Sequence, residues 1–387
     1  MRRLLPDFRG LPRAFWMLWA GGLVNRLGTF VQPFLSLYLS SQRGLSIETS
    51  GAVVSLVGLG SLASGPTGGY LADRLGRRKA LGLATALSAG GMLNMAAARS
   101  LPSIAIAATA LGFLGELYRP AAAAMVADVV RPEDRARAYS LTYWAANLGV
   151  AFALPFAGFV ANRSYGALFV ADALTTLAFG ALVFTQVRDT RVPSPSSREA
   201  SHYARPYRDR PFLAFAAVTF VIVFVFFQHV VTVPLEMQRH GLSPKTYGLL
   251  IAINGGLIVV AQPAIGPWAA RVPRAWTIAT GALLIGIGMA MTGLARGSIG
   301  LYAASIVVWT IGEMAFIPTA ITVVADLAPA ELRGSYQGAY QITWGACAFL
   351  APLVGGAILG RLGPSVLWPA CAVAGAVGAA GALRIVK

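Results

Sequence analysis

Acidic, histidine and cysteine side chains are scarce in this sequence. Its 387 residues include 15 Asp and Glu, three His and two Cys, and charged residues make up only 12%. Cys347 and Cys371 both lie in apolar stretches, where we expect small packing side chains without a disulfide. His229 has no partner at metal-ligand spacing, and no nucleophile–base set or phosphate loop stands out. These absences argue against an enzyme, a metal site and a bound cofactor.

Long apolar runs fill the chain instead, since 56% of its residues are hydrophobic. The runs approach the roughly 20 residues that a helix needs to cross about 30 Å of hydrocarbon. We therefore predict an all-α integral membrane protein with twelve transmembrane helices. The predicted spans are 14–40, 47–72, 79–98, 102–129, 138–161, 166–187, 211–237, 244–269, 275–295, 299–326, 335–360 and 364–383.

The net charge of +16 would suggest nucleic-acid binding in a soluble protein, but here the basic residues are sorted by loop. With a cytoplasmic N-terminus, 22 of the 31 Lys and Arg residues fall on the cytoplasmic side and seven on the other. This asymmetry is the positive-inside rule. It predicts a multi-pass protein of the inner (plasma) membrane with both termini cytoplasmic, and it argues against nucleic acid as a partner.

The two halves of the chain repeat one another at an offset of 197 residues. The matching pairs include Gly51 and Gly248, Pro66 and Pro263, Gly69 and Gly266, Arg74 and Arg271, Arg77 and Arg274, Glu116 and Glu313, and Gly158 and Gly355. The repeat predicts two pseudo-symmetric six-helix bundles, 1–187 and 211–387, joined by a polar cytoplasmic linker, 188–210. Parallel repeats of this kind are typical of transporters with a midplane substrate site.

The segment GGYLADRLGRRKA joins the second and third predicted spans. It matches the loop motif of the major facilitator superfamily at Gly69, Leu71, Asp73, Arg74, Gly76, Arg77 and Arg78. The chain resembles this family over nearly its whole length. A weaker copy, GPWAARVPR, follows the eighth span and has Ala270 in place of Asp73.

The resemblance implies the twelve-helix family fold, alternating access and a conformational latch. Asp73 would contact the start of the eleventh span near Gly334 and Ser335, where a carboxylate can accept from helix N-terminal amides. Arg77 would pair with Asp128. We assign the latch to Gly69, Asp73, Arg74, Gly76, Arg77 and Asp128. The alternative is that these charges only anchor a turn and set topology.

Four ionisable residues lie near the middle of predicted spans: Arg26, Glu116, Arg119 and Glu313. Such groups are costly in hydrocarbon and are functional candidates. Glu116 and Arg119, three residues apart, should share a helix face, with Arg26 at similar depth. We expect Glu116 to exchange a proton while Arg26 or Arg119 holds it, or an anionic part of the substrate, in alternate states. A static ion pair that fixes helix packing is the alternative.

Further polar and aromatic residues are expected on the cavity wall, since the resemblance places the first, fourth, seventh and tenth spans around it. Each could equally be interhelical contact. They are Asn25, Tyr143, Trp144, Asn147, Gln228, His229, Tyr340, Gln341 and Trp344. Glu313 is a possible second proton site, and Asp172 is expected to have a structural partner.

The function expected from these residues and the resemblance is proton-coupled export of amphipathic or drug-like small molecules by a monomer. Protons are the expected coupling ion, and no other cofactor is expected. One alternative is a permease for a small anionic metabolite that binds Arg26 and Arg119. An alternative of another class is a non-transporting membrane sensor.

The latch makes one prediction. Asp73→Ala should abolish transport while the protein still inserts into the membrane, because alanine cannot accept from helix N-terminal amides. Substrate flux, normalised to the amount of inserted protein, measures this, and full transport by the variant would reject the latch.

Overall fold

The computed structural model describes residues 10–131, 134–188, 205–269, 271–329 and 332–386. These ranges contain helices and connecting turns and no β-strand. The helices are α1 (Arg13–Leu27), α2 (Val31–Ser41), α3 (Ile47–Leu75), α4 (Arg77–Ala97), α5 (Leu101–Gly115), α6 (Arg119–Val129), α7 (Arg135–Ala161), α8 (Tyr165–Gln186), α9 (Arg210–Phe226), α10 (Gln228–Arg239), α11 (Pro244–Ala269), α12 (Arg274–Ala295), α13 (Ile299–Leu327), α14 (Arg333–Arg361) and α15 (Pro364–Ile385).

Each of the twelve predicted spans corresponds to one helix or to two consecutive helices. Eleven helical segments of the described chain are long and apolar enough to cross a membrane, and α1 with α2 supplies the first span. Three of these spans, the first, fourth and seventh, are interrupted. The breaks fall at residues 28–30, 116–118 and 227.

Proline accounts for two of the three breaks. Pro33 lies in the first turn of α2 and Pro120 in the first turn of α6, where a missing N–H costs no helical hydrogen bond. The third break is at Phe227, and α9 and α10 are separated there by this single residue. Prolines elsewhere, such as Pro155 and Pro352, lie inside continuous helices.

The described chain forms two compact units. The first contains 10–43, 56–188 and 243–259, and the second contains 44–55, 205–242 and 260–386. The units follow the predicted division except that each includes the start of one helix from the opposite half. Most of the predicted linker, 189–204, lies outside the described residues, and Arg205–Arg208 forms a short 3-10 turn before α9.

Glycine contacts explain why these two helix starts group with the opposite half. A Cβ at Gly51 on α3 would lie 2.5 Å from the carbonyl oxygen of Pro352 on α14. A Cβ at Gly248 on α11 would lie 2.4 Å from the carbonyl oxygen of Leu154 on α7. Gly51 and Gly248 are partners in the 197-residue repeat, so each unit contains an equivalent close helix crossing. Small residues permit such crossings in lipid.

Within the first unit, α1 packs on α7 and α8, and α4 packs on α5 and α8. Its core includes Phe15, Leu81, Met125, Leu141 and Phe179, all at most 2% exposed. Within the second unit, α12 packs closely on α13 and α15. As predicted, the two cysteines are buried and free.

The crossing of α11 and α7 can be tested with two glycines of one helix. Gly248→Leu should destabilise the protein by about 1–3 kcal/mol, because the new side chain meets backbone atoms that cannot move aside. Gly256→Leu is the control, since no atom lies within 4 Å of a Cβ at Gly256. Thermal unfolding in detergent should show a lower Tm for Gly248→Leu only. Equal Tm values for the two variants would contradict the crossing.

Candidate functional site

A cavity of about 260 Å³ lies inside the first unit, beside the break in the fourth span. Helices α1, α6, α7 and α8 form its walls, which are mostly apolar and aromatic. Two guanidinium groups, those of Arg26 and Arg119, line it together with the amide of Asn25. The aromatic lining residues are Trp19, Tyr118, Tyr139 and Phe179.

The break in the fourth span holds an ion pair. Arg119 Nε lies 2.6 Å from Glu116 Oε2, and their side chains are 49% and 31% exposed. The two residues do not lie on one continuous helix, because α5 ends at Gly115 and α6 begins at Arg119. The two side chains instead flank a turn in which the Arg119 amide donates to the Glu116 carbonyl at 3.2 Å. Arg119 lines the cavity, and Glu116 does not.

Arg26 lies near the end of α1 on the opposite side of the same cavity. A Cβ at Gly149 on α7 would be 2.6 Å from Arg26 Cβ, so the two helix backbones are in contact there. In the part of the chain that the structure describes, the Arg26 guanidinium has no hydrogen-bond acceptor or ion-pair partner. The predicted three-charge cluster is therefore divided: Glu116 and Arg119 are paired, and Arg26 faces the cavity separately.

Asn25 links the first span to two other helices. It is 7% exposed. Its Nδ2 donates to Tyr118 Oη at 2.9 Å, and its Oδ1 accepts from Thr176 Oγ1 at 2.9 Å. Tyr118 also packs edge-on against Phe179, with ring centroids 5.6 Å apart. Sequence reasoning missed Tyr118 and Thr176, although Tyr118 stands directly between Glu116 and Arg119.

Asp172 on α8 caps the second half of the first span. Its Oδ2 accepts from the amides of Phe30 and Val31, each at 3.1 Å, and the residue is 5% exposed. These amides open α2 and have no partner within the helix. Asp172 was expected to have a structural partner, and that partner is the backbone at the start of α2.

In the second unit, Gln228 and His229 follow the break at Phe227. The His229 ring stacks on Trp309, with centroids 5.5 Å apart, and its Nδ1 lies 2.6 Å from the carbonyl oxygen of Phe226. Gln228 donates to the carbonyl of Phe224 at 3.2 Å. These two predicted cavity residues therefore contact other residues of the second unit. Glu313 on α13 is half-buried.

The remaining predicted wall residues have mixed environments. Tyr340 is 1% exposed and stacks on Phe215. Trp344 packs against Phe226 and Phe227, and Gln341 is exposed. On α7, Tyr143 is 53% exposed and Trp144 is half-buried. The Asn147 side chain donates to the backbone carbonyl of Tyr143 at 3.0 Å.

The loop motif shows the ion pair expected from the resemblance. Arg77 Nη1 donates to Asp128 Oδ2, and also to the carbonyl of Ala124 at 2.9 Å. Gly76 precedes α4 with φ of 86°, a conformation that favours glycine. Gly69 lies within α3, and Arg74 lies over the Tyr70 ring. The Asp73 side chain and the expected contacts at Gly334 and Ser335 lie outside the described residues.

A second ion pair occupies the equivalent place in the other half. Arg274 Nη1 donates to Asp326 Oδ2 at the facing ends of α12 and α13. Arg274 is the repeat partner of Arg77, but Asp326 is one residue beyond the position that the offset predicts from Asp128. Sequence comparison at a fixed offset therefore missed it.

The hydrogen-bond network at Asn25 gives the next prediction. Tyr118→Phe keeps the ring contact with Phe179 but leaves the buried amide without its acceptor, which should cost about 1–3 kcal/mol of stability. Tyr207→Phe, at a half-exposed residue, is the control and should not change the Tm. A wild-type Tm for Tyr118→Phe would show that the network does not hold the fourth-span break.

Comparisons with known proteins agree with this architecture. The chain is 28% identical over 361 residues to the MFS-type transporter YttB of Bacillus subtilis (strain 168), covering 91% of this chain and 90% of YttB. It is 24% identical to a Na(+), Li(+), K(+)/H(+) antiporter of Planococcus maritimus, with 91% and 87% covered. It is 26% identical to the multidrug resistance protein MdtH of Klebsiella pneumoniae (strain 342), with 81% and 78% covered.

Among solved structures, a POT family transporter in complex with 5-aminolevulinic acid superimposes with a TM-score of 0.84 at 16% identity, covering 100% of this chain and 99% of that one. This likeness establishes the shared fold. The family model of the Major Facilitator Superfamily matches residues 18–243 and 229–386. The chain is thus a multi-pass membrane protein and belongs to the major facilitator superfamily of transporters.

Proposed function

We propose that this transporter exports amphipathic or drug-like small molecules across the inner membrane in exchange for protons, by alternating access. The observation that carries the proposal is the cavity of the first unit. Its apolar and aromatic walls include two arginines, and one of them, Arg119, is paired with the Glu116 carboxylate beside the cavity. Bound cargo and a bound proton can compete within such a site.

The ion pair supplies the proton-binding step. While Arg119 lies 2.6 Å from Glu116, the guanidinium stabilises the carboxylate. When a conformational change draws Arg119 away, a lone carboxylate at membrane depth is costly, and proton uptake by Glu116 removes that cost. In this proposal the proton reaches Glu116 from its exposed side, since the side chain is 31% exposed.

The cavity walls favour an amphipathic cargo. Trp19, Tyr118, Tyr139 and Phe179 provide ring surfaces, and the Asn25 amide and the guanidinium groups provide polar contacts. Binding sites for small organic ligands have this composition, and about 260 Å³ is close to the lower end of their usual volumes. A small cargo fits this cavity.

The names of two relatives support the same proposal. MdtH is named a multidrug resistance protein, and the Planococcus protein is named a cation/proton antiporter. Both are relatives at about one quarter identity. A monovalent cation is therefore included among the compounds to be tested.

A second candidate is a permease for a small anionic metabolite. Arg26 favours it, because its guanidinium lines the cavity and has no hydrogen-bond or ion-pair partner among the described residues. A planar guanidinium binds carboxylate or phosphate in a bidentate manner. Arg119, at 49% side-chain exposure, is close enough to the same cavity to assist.

The experiment is flux into proteoliposomes with and without an imposed pH gradient. The panel contains a lipophilic cation, a neutral amphipathic compound, small carboxylates and phosphates, and Na⁺ and K⁺. Gradient-driven movement of the amphipathic compounds supports the proposal. Selective transport of anions supports the permease instead, and movement that ignores the pH gradient would reject proton coupling.

The proton role of Glu116 makes a separate prediction. Glu116→Gln should abolish uphill transport and its pH dependence while leaving exchange of cargo across the membrane, because glutamine cannot bind or release a proton. Glu313→Gln, the repeat partner, is measured beside it to show whether the second half contributes. Wild-type uphill transport and pH dependence in Glu116→Gln would end the assignment.

A further inference from the structure

A buried carboxyl group outside the cavity remains without a role in the scheme above. Asp172 is 5% exposed, does not line the cavity, and accepts two backbone amides of α2 through one oxygen. In hydrocarbon these amides must have an acceptor. A neutral acceptor would satisfy them at lower cost, since an ionisable group at this depth is expensive.

Other helix starts in the described chain show that contrast. α5, α8 and α13 begin with serine caps, at Ser100, Ser164 and Ser298, and α9 begins with an aspartate cap, at Asp209. Among these capped ends, only the broken first span uses a carboxyl that is buried and comes from a different helix. Serine and aspartate cap helices about equally well. Because an ionisable group is costly at this buried position, an acid there points to a use for its charge.

Three residues on one face of α8 contact the break in the first span and the residues beside it. Asp172, Thr175 and Thr176 are spaced i, i+3 and i+4, which places them on the same face. Asp172 accepts from Phe30 and Val31, and Thr176 donates to Asn25. A Cβ at Gly28 would lie 1.7 Å from Thr175 Oγ1, so α8 also touches the turn itself.

This face of α8 also affects the cavity, because it contacts residues on either side of Arg26. Arg26 lines the cavity, and the break that follows it at residues 28–30 is the one whose amides Asp172 caps. Arg26 lies between Asn25 and Gly28, both of which α8 contacts. Any change at Asp172 therefore alters both the charge balance and the backbone geometry at Arg26.

Of the helices packed against α8, α1 carries Arg26, the charged residue that directly precedes the break capped by Asp172. Several other ionisable groups on the helices packed against α8 have partners of their own. On α2, Tyr38 accepts from Arg43; on α4, Arg78 lies over Phe184; on α7, Tyr139 donates to the carbonyl of Ala123.

We propose that Asp172 is a positioning residue for Arg26 and takes up a proton during the transport cycle, which rests on the proposed proton-coupled function. As a carboxylate, it holds the amides of Phe30 and Val31 and balances the charge of Arg26. A proton from water that binds a carboxyl oxygen weakens the cap and removes the counter-charge. Arg26 then binds an anionic partner in the cavity, and release of the same proton restores the cap.

Asp172→Asn separates the cap from the charge. Asparagine keeps a side-chain oxygen that can accept from the two amides, but it cannot titrate or balance Arg26. We expect this variant to fold with a nearly wild-type Tm and to exchange cargo, but to lose most of the pH dependence of cargo affinity. Asp172→Ala, which removes both functions, should lower the Tm. A wild-type pH profile in Asp172→Asn would reduce Asp172 to a structural cap.

Hydrogen exchange tests the same step without a substrate. After correction for intrinsic exchange rates, the amides of Phe30 and Val31 in the wild-type protein should lose protection severalfold at acid pH, while amides within α8 keep theirs. In Asp172→Asn the protection should not depend on pH. If the protection of Phe30 and Val31 in the wild-type protein does not change with pH, the inference is overturned. If the protection changes with pH but proton-coupled flux is absent, only the proposed function is overturned.

Discussion

Two backbone amides at the break of the first span share one acceptor, the Oδ2 atom of Asp172, and the site depends on this interaction. Hydrocarbon offers no replacement acceptor, so without a side-chain oxygen at position 172 the break at residues 28–30 would leave both amides unsatisfied. The break places Asn25 and Arg26 on the cavity wall. Their positions therefore depend on the contact that Asp172 makes with Phe30 and Val31, outside the cavity.

The other two breaks are stabilised by different means. In the fourth span, Tyr118 accepts from Asn25, and the turn carries the Glu116–Arg119 pair. In the seventh span, stacking of His229 on Trp309 surrounds the break with aromatic rings. Discontinuous helices are characteristic of transporter binding sites because they bring polar groups to membrane depth. The first unit thus has charged groups at its breaks, whereas the second has an aromatic cluster.

Much of the fold could be predicted from the sequence, because spans and repeat are properties of local composition and offset. Average hydropathy does not distinguish a broken span from a continuous one, and so the breaks were missed. Pro33 and Pro120 indicated bends, but Phe227 has no such signal. The contact of Asp172 with Phe30 and Val31 joins residues more than 140 positions apart, which no local pattern encodes. The Arg274–Asp326 pair escaped a fixed-offset comparison because it is displaced by one residue.

The central claim is that cargo and proton compete for the charged groups of the first unit. Proton release on cargo binding, measured in weakly buffered detergent solution with the purified protein, tests it most directly. The account predicts that saturating cargo releases protons from the wild-type protein near neutral pH, and that release disappears once the acids are already deprotonated at higher pH. Saturable cargo binding without any change in bound protons across the whole pH range would contradict it.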